Sequence, residues 1–398
     1  FQLPFGILSD RFGRKKMIII GLVIFCAGSV VAALADSIYQ VIAGRALQGL
    51  GAIAAVVMAL AADLTREQVR LRIMAMIGMS IGFSFMLSMV MGPLIAANFG
   101  LAMLFWITAA LALLGMLVIW LMTPQPQQQS FHRDAQLALP DVGKILANRE
   151  LLKLDAGVFM LHLVLSATFV VFPLMLKGEL GVEAALHWKT YLPVFVLSVL
   201  LMVPMIVIAE KFKRSRALFL FAIALLIVSE LGLALGNSYL AAFIMLVLFF
   251  TAFNFLEAVL PSTVASIAPA DMKGTAMGLF SSAQFFGAFS GGVLGGWLLA
   301  TASYSVTFMV LGLLLFAWLL LAWSMQSSTP LASRVVSLQG LEAEQVKAFL
   351  VQAAEIDGVH EVSVYAADEV AYLKVERGFD QSGLDALLSA GAKQPAAG

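Results

Sequence analysis

Four ionisable side chains lie inside long apolar stretches of this sequence: Arg45, His162, Glu230 and Glu257. A charge held in hydrocarbon costs several kcal/mol, roughly 3 at the centre of a spanning helix, so each needs a partner, water or a function. The chemistry open to them is proton exchange and the holding of a polar solute. A carboxyl removed from water keeps its proton more readily, and an imidazole changes charge near neutral pH. Glu257 and His162 are therefore candidate proton carriers, and Asn254, one helical turn before Glu257, adds hydrogen-bonding capacity. Each has a plainer alternative. Glu257 also reads as a polar link between helices, Arg45 as a cation held by backbone carbonyls, and Glu230 as a hydrogen-bonded structural acid. No nucleophile–base arrangement and no metal-ligand spacing occurs in the sequence, so the chain is not read as an enzyme.

The elements that must position these groups are transmembrane helices. Of 398 residues, 61% are hydrophobic and 12% charged, with mean hydropathy +0.97, too apolar for one soluble core. Ten stretches have the ~20-residue length of a membrane span: Met17–Ala35, Tyr39–Ala62, Ile73–Asn98, Leu101–Met122, Leu154–Leu176, Tyr191–Ala209, Ala217–Leu235, Tyr239–Ile267, Met272–Ala300 and Val306–Met325. One set of loops gathers Arg11, Arg14, Lys15 and Lys16, then Arg66, Arg70 and Arg72, then Arg133, Lys144 and Arg149, then Lys211, Lys213, Arg214 and Arg216, and finally Lys273. The alternate loops hold Lys177 and Lys189. The basic set is expected to face the cytoplasm, and the C-terminal tail with it. Zero formal net charge gives no general sign of a nucleic-acid partner, and the single cysteine, Cys26, allows no internal disulfide.

The organisation predicted is a first membrane block over 1–122, a polar connector over 123–150, a second block over 151–325, a linker over 326–333 and a small module over 334–392. The phrase "LSDRFGRKK" at Leu8–Lys16 returns as "IAEKFKRSR" at Ile208–Arg216, a repeat of about 200 residues that carries whole groups of spans. Four spans against six then predict about 50 further residues ahead of Phe1, and twelve spans in all. Gly287, Gly291 and Gly295 form a small-residue stripe suited to close helix contact, on the helix that also carries Gln284. The aromatic run Phe249, Phe250, Phe253 and Phe255 reads as packing, with a substrate-facing role as the alternative. In the last module a β-α-β-β-α order predicts a ferredoxin-like fold.

These residues resemble the major facilitator superfamily, in its drug-efflux-type branch. "GILSDRFGRKK" at Gly6–Lys16 is similar to that family's cytoplasmic loop motif, "RALQG" at Arg45–Gly49 to its fourth-span motif, and Gly92–Pro93 to its fifth-span antiporter motif, across Phe1–Met325. In the antiporter motif Ser88 and Ala96 stand where glycine is usual, as does Met79. The resemblance implies an α-helical polytopic membrane protein of two six-helix halves, the first truncated here, in a bacterial inner membrane. It implies a clasp of Gly6, Asp10, Arg11, Gly13, Arg14 and Asp63 that holds the halves closed on the inside. It links Arg45 and Gln48 to proton coupling, and places His162, Asn254 and Glu257 on cavity-lining spans. The implied activity is proton-coupled export of a small, apolar or drug-like solute by rocking of two halves, with the proton gradient as driving force and no cofactor. Its alternative is a membrane receptor with a ligand-sensing cytoplasmic module. The tail resembles heavy-metal-associated domains, but its loop "QGLEAEQ" lacks their cysteine pair. We therefore expect no metal there, and regulation or self-association through an open sheet edge.

Overall fold

The computed structural model describes residues 5, 8–9, 12–51, 53–65, 67–124, 139–211, 215–236, 238–269, 272–325, 331–338, 343–365, 370–376, 379 and 384. Helix α1, Arg14–Ala33, starts at Gly13, whose φ of 96° lies in the region that favours glycine. Among the described residues nine helices are long and apolar enough to cross a membrane. The tenth expected span, Tyr39–Ala62, is instead two helices, α2 (Ile38–Leu50) and α3 (Ala54–Leu64). The break has a backbone turn and a tertiary contact behind it. The Gly51 amide turns back to Gln48 O at 3.1 Å, which closes α2, and a Cβ at Gly51 would collide with the Gly21 carbonyl of α1. Helix α4 then runs 33 residues, Glu67–Phe99, with its apolar part beginning at Ser80 and Pro93 inside it.

The helices that follow are α5 (Leu101–Met122), α6 (Leu139–Ala147), α7 (Arg149–Gly178), α8 (His187–Lys211), α9 (Ser215–Leu235), α10 (Tyr239–Ile267), α11 (Lys273–Thr301) and α12 (Tyr304–Trp323). The chain divides into two compact units. The first comprises Phe1–Ser130, Asp155–Val259 and Gly278–Ser324. In it α1 packs on α2 and α5, and α9 packs on α12. The approach of α1 and α2 is backbone to backbone: a Cβ on Gly28 would stand 2.5 Å from Gln48 N, and one on Gly44 2.7 Å from Ala32 N. Similar contacts occur at neighbouring, non-equivalent positions of the 200-residue repeat. Lys15 donates to Trp120 O and Thr123 O, both at 2.9 Å, at the end of α5; Arg216 donates to Trp323 O at 2.9 Å, at the end of α12. Each cation satisfies carbonyls that a helix terminus leaves open and meets the negative end of its dipole.

The second unit comprises Phe131–Leu154, Leu260–Met277 and Met325–Gly398. Asn148 starts α7 by accepting from the amides of Glu150 and Leu151 at 3.0 and 3.3 Å. The tail module contains β1 (Leu331–Ser337), α13 (Ala343–Ala354), β2 (Val359–Tyr365) and β3 (Val370–Glu376), in an antiparallel sheet ordered β1-β3-β2. Leu331 pairs with Glu376, so the first strand begins within the stretch read from the sequence as linker. One face buries Val336, Ala371, Leu373 and Val375 against Phe349 and Ala353 of α13, with Leu384 beneath. The second helix expected at Gln381–Leu388 lies, apart from Leu384, outside the described residues. Lys374, buried on β3, donates to Ile267 O at the end of α10 at 2.9 Å and stands 3.4 Å from Glu361.

Candidate functional site

The glycine stripe of α11 makes the site possible. A Cβ on Gly287 or Gly291 would run into the backbone carbonyls of Phe159 and Leu163 on α7, and one on Gly295 would stand 2.8 Å from Ala167 Cα. Any larger residue would hold the two helices apart. With α11 pressed on α7, Gln284 comes within reach of His162, and α10 supplies Glu257 from a third direction. The Gln284 amide nitrogen lies 2.8 Å from His162 Nε2 and donates to Glu257 Oε1 at 3.1 Å. Glu257 Oε2 is 3.7 Å from His162 Nε2 and has no hydrogen-bond partner among the described residues. His162 Nδ1 faces its own helix at Val158 O, 3.2 Å away. Phe253 presents its face or edge to the imidazole at 5.7 Å and 64° between planes, closing the apolar side. His162 is buried and Glu257 half-buried.

Two of the three inner candidates, His162 and Glu257, are thus one site. Asn254 turns away to α8, where it donates to Ser198 Oγ at 3.2 Å, and Ser198 donates to Phe195 O at 2.9 Å. Gln284, noted in the sequence as sharing the glycine helix, is the bridge. Glu230 is fully buried and accepts from Thr168 Oγ1 at 2.9 Å, which joins α9 to α7. Phe249, Phe250, Phe253 and Phe255 are all buried, and Phe250 packs against Phe195 with ring centroids 4.6 Å apart and planes tilted by 40°. They are packing.

Arg45 and Gln48 form a separate network. Arg45 donates to Gln48 Oε1 at 2.7 Å, Gln48 donates to Ser29 Oγ at 2.6 Å, and Ser29 donates to Phe25 O at 2.8 Å. Arg45 is held by a side-chain amide, which in turn is held across the α1–α2 contact. Gln48 is buried where Gly28 and Gly44 let the backbones meet.

The sequence model of the Major Facilitator Superfamily matches residues 1–287 and 154–352. The chain belongs to that superfamily. It is 42% identical to the inner membrane transport protein YajR of Escherichia coli over 94% of this chain and 83% of that protein. It is 33% identical to an uncharacterised transporter of Buchnera aphidicola over 73% of this chain and 75% of that one. Among solved structures, a bacterial homologue of the human lysosomal transporter Spinster, inward-facing and occupied, superposes with a TM-score of 0.62 at 14% identity, over 82% of this chain and 86% of that one. The protein is an integral, polytopic membrane transporter of the superfamily's fold.

Of the superfamily's loop motif, Gly6, Asp10 and Arg11 lie outside the described residues, as does the side chain of Asp63, so the expected Arg14–Asp63 pair does too. Arg14 is buried and donates to Ser9 Oγ at 2.6 Å. In the fifth-span motif, Ser88 bonds Phe85 O at 2.8 Å within α4, and a Cβ on Gly92 would meet open space. Nothing around Gly92 demands a glycine in this conformation. One turn before Ser88, Phe85 meets Phe169 of α7 and Phe195 of α8 edge-on, at 6.4 and 5.9 Å.

Proposed function

We propose that this superfamily member is a proton-coupled secondary transporter, an efflux antiporter of a small, apolar or drug-like solute in a bacterial inner membrane, with its C-terminus in the cytoplasm. The observation that carries the reading is the His162–Gln284–Glu257 cluster. Three helices converge to hold an imidazole and a carboxylate together within an apolar layer, where an unused pair would be costly. Such a pair can take one proton from one side of a membrane and give it up on the other when two halves rock. The efflux direction rests on the resemblance of Gly6–Lys16, Arg45–Gly49 and Gly92–Pro93 to the motifs of exporting branches. The Arg14–Asp63 clasp, and a ferredoxin-like tail that regulates or self-associates, belong to the same proposal.

The test is flux in inverted membrane vesicles. A panel of lipophilic fluorescent dyes is offered while a pH gradient, acid inside, is imposed and then collapsed. Gradient-dependent accumulation of at least one dye, absent from vesicles with Glu257→Gln, is the expected result. A panel that accumulates equally with and without the gradient would contradict proton coupling.

A further inference from the structure

Val158 O can only accept, so His162 Nδ1, 3.2 Å away, carries a hydrogen, and the ring is neutral when Nε2 carries none. Nε2 faces an amide nitrogen, which can only donate, and is therefore bare. The Gln284 amide nitrogen stands 2.8 Å away with two hydrogens, and its second reaches Glu257 Oε1 at 3.1 Å. Nε2 accepts in this way only while it carries no proton, and so does Oε1 of Glu257. The amide therefore matches a neutral His162 with Nε2 bare, beside a Glu257 whose Oε1 carries no proton, and is best matched when that carboxyl is ionised.

We propose that Gln284 is a positioning residue for the proton site, which holds His162 in the Nδ1–H tautomer with Nε2 open and turns over when a proton arrives. The inference rests on the proton-coupled reading given above. A proton taken from water onto Nε2 leaves N–H facing N–H across 2.8 Å, two donors without an acceptor. A half-turn of the carboxamide replaces its nitrogen by its oxygen, which accepts from Nε2–H. The same turn withdraws the donor from Glu257, whose Oε2 already lies 3.7 Å from Nε2 and has no hydrogen bond among the described residues. The carboxylate is then the next resting place for the same proton, and its O–H can donate to the turned amide oxygen. One proton enters, none is lost, and no bond to carbon changes. Because α7, α10 and α11 each supply one group, the turn alters how α11 is tied to the other two. Proton arrival is thereby felt by helix packing.

Few other charges bear on this site among the described residues. On α7 the next ionisable group is Asp155, two turns before His162. On α9 Glu230 reaches α7 through Thr168, away from the cluster. On α8, Ser198 is bonded to Asn254 of α10.

The measurement uses the full chain in lipid bilayers, labelled with ¹⁵N-histidine, and nitrogen chemical shifts that separate N–H, bare N and imidazolium. His162 is assigned by the signals lost in His162→Asn, since His132, His187 and His360 are also present. In alkaline buffer we expect Nδ1 protonated and Nε2 bare. Removing the two donated bonds, by Gln284→Leu or by the isosteric Gln284→Glu, removes what favours the proton-free forms. The pair should then hold its proton about tenfold more tightly, and His162 should titrate about one pH unit higher, the size of one hydrogen bond to a charged group. An Nε2–H tautomer in the wild type would overturn the inference without any variant. So would an unmoved midpoint in both Gln284 variants. Dye flux that ignores Glu257→Gln, with the expected tautomer in place, would instead remove the proton-coupled reading on which the inference stands.

Discussion

Alanine at Gly291 should do more harm than alanine at Gly292, its neighbour on the same helix. The added methyl at 291 falls on the Leu163 carbonyl, well inside ordinary contact distance, and a backbone oxygen in mid-helix cannot swing aside. Helices α7 and α11 would have to part by about 1 Å. The 2.8 Å contact from Gln284 to His162, two turns away, would open to roughly 3.8 Å, past hydrogen-bonding range. Overpacking of this kind costs ~1–3 kcal/mol. At Gly292 the methyl meets nothing within 4 Å, and alanine gains up to about 1 kcal/mol of helix propensity. The propensity gain is common to both variants, so they should differ by the overpacking cost, ~1–3 kcal/mol. Thermal unfolding of purified protein, followed by circular dichroism, measures that difference, and dye flux in vesicles reports the site. Equal melting temperatures and equal flux for Gly291→Ala and Gly292→Ala would refute the claim that the glycine stripe sets the α7–α11 distance.

Other consequences are as direct. Lys15→Met and Arg216→Met each remove a cation from a helix end and should each lower stability by ~0.3–1 kcal/mol, additively, because they cap different helices; a large non-additive loss in the double variant would argue against independent caps. Glu230→Gln retains an amide oxygen for Thr168 and should transport with an unchanged pH profile, whereas a shifted profile would make Glu230 part of the proton path. Lys374→Met removes a charged bond from the end of α10, so amide exchange near Ile267 should quicken about fivefold, the equivalent of ~1 kcal/mol; exchange at the wild-type rate would show that the contact does not hold that helix end.

Much of the scaffold was legible because hydrocarbon imposes a simple rule: apolar length reports a span. The glycines at 287, 291 and 295 announced a close contact, and the structure supplies its partner in α7. The break at Gly51 was not legible, since Tyr39–Ala62 has the length and apolar character of one span, and the contact that excludes a Cβ there comes from Gly21, 30 residues upstream. His162 and Glu257 stood out as ionisable groups in apolar runs. Their meeting did not, for it depends on how three helices cross, and Gln284 carries no charge to mark it. Lys15 and Arg216 were read as topology signals. Their second task, closing the ends of α5 and α12, appears only when those carbonyls are in place.

The central claim is that Glu257, and not the more deeply buried Glu230, exchanges a proton with water. Infrared difference spectra of the protein in lipid, recorded between mildly acidic and mildly alkaline buffer, test it without any knowledge of the transported solute. A protonated-carboxyl stretching band should appear in acid, persist in Glu230→Gln and vanish in Glu257→Gln. A band that survives Glu257→Gln unchanged, or one lost only in Glu230→Gln, would contradict the account.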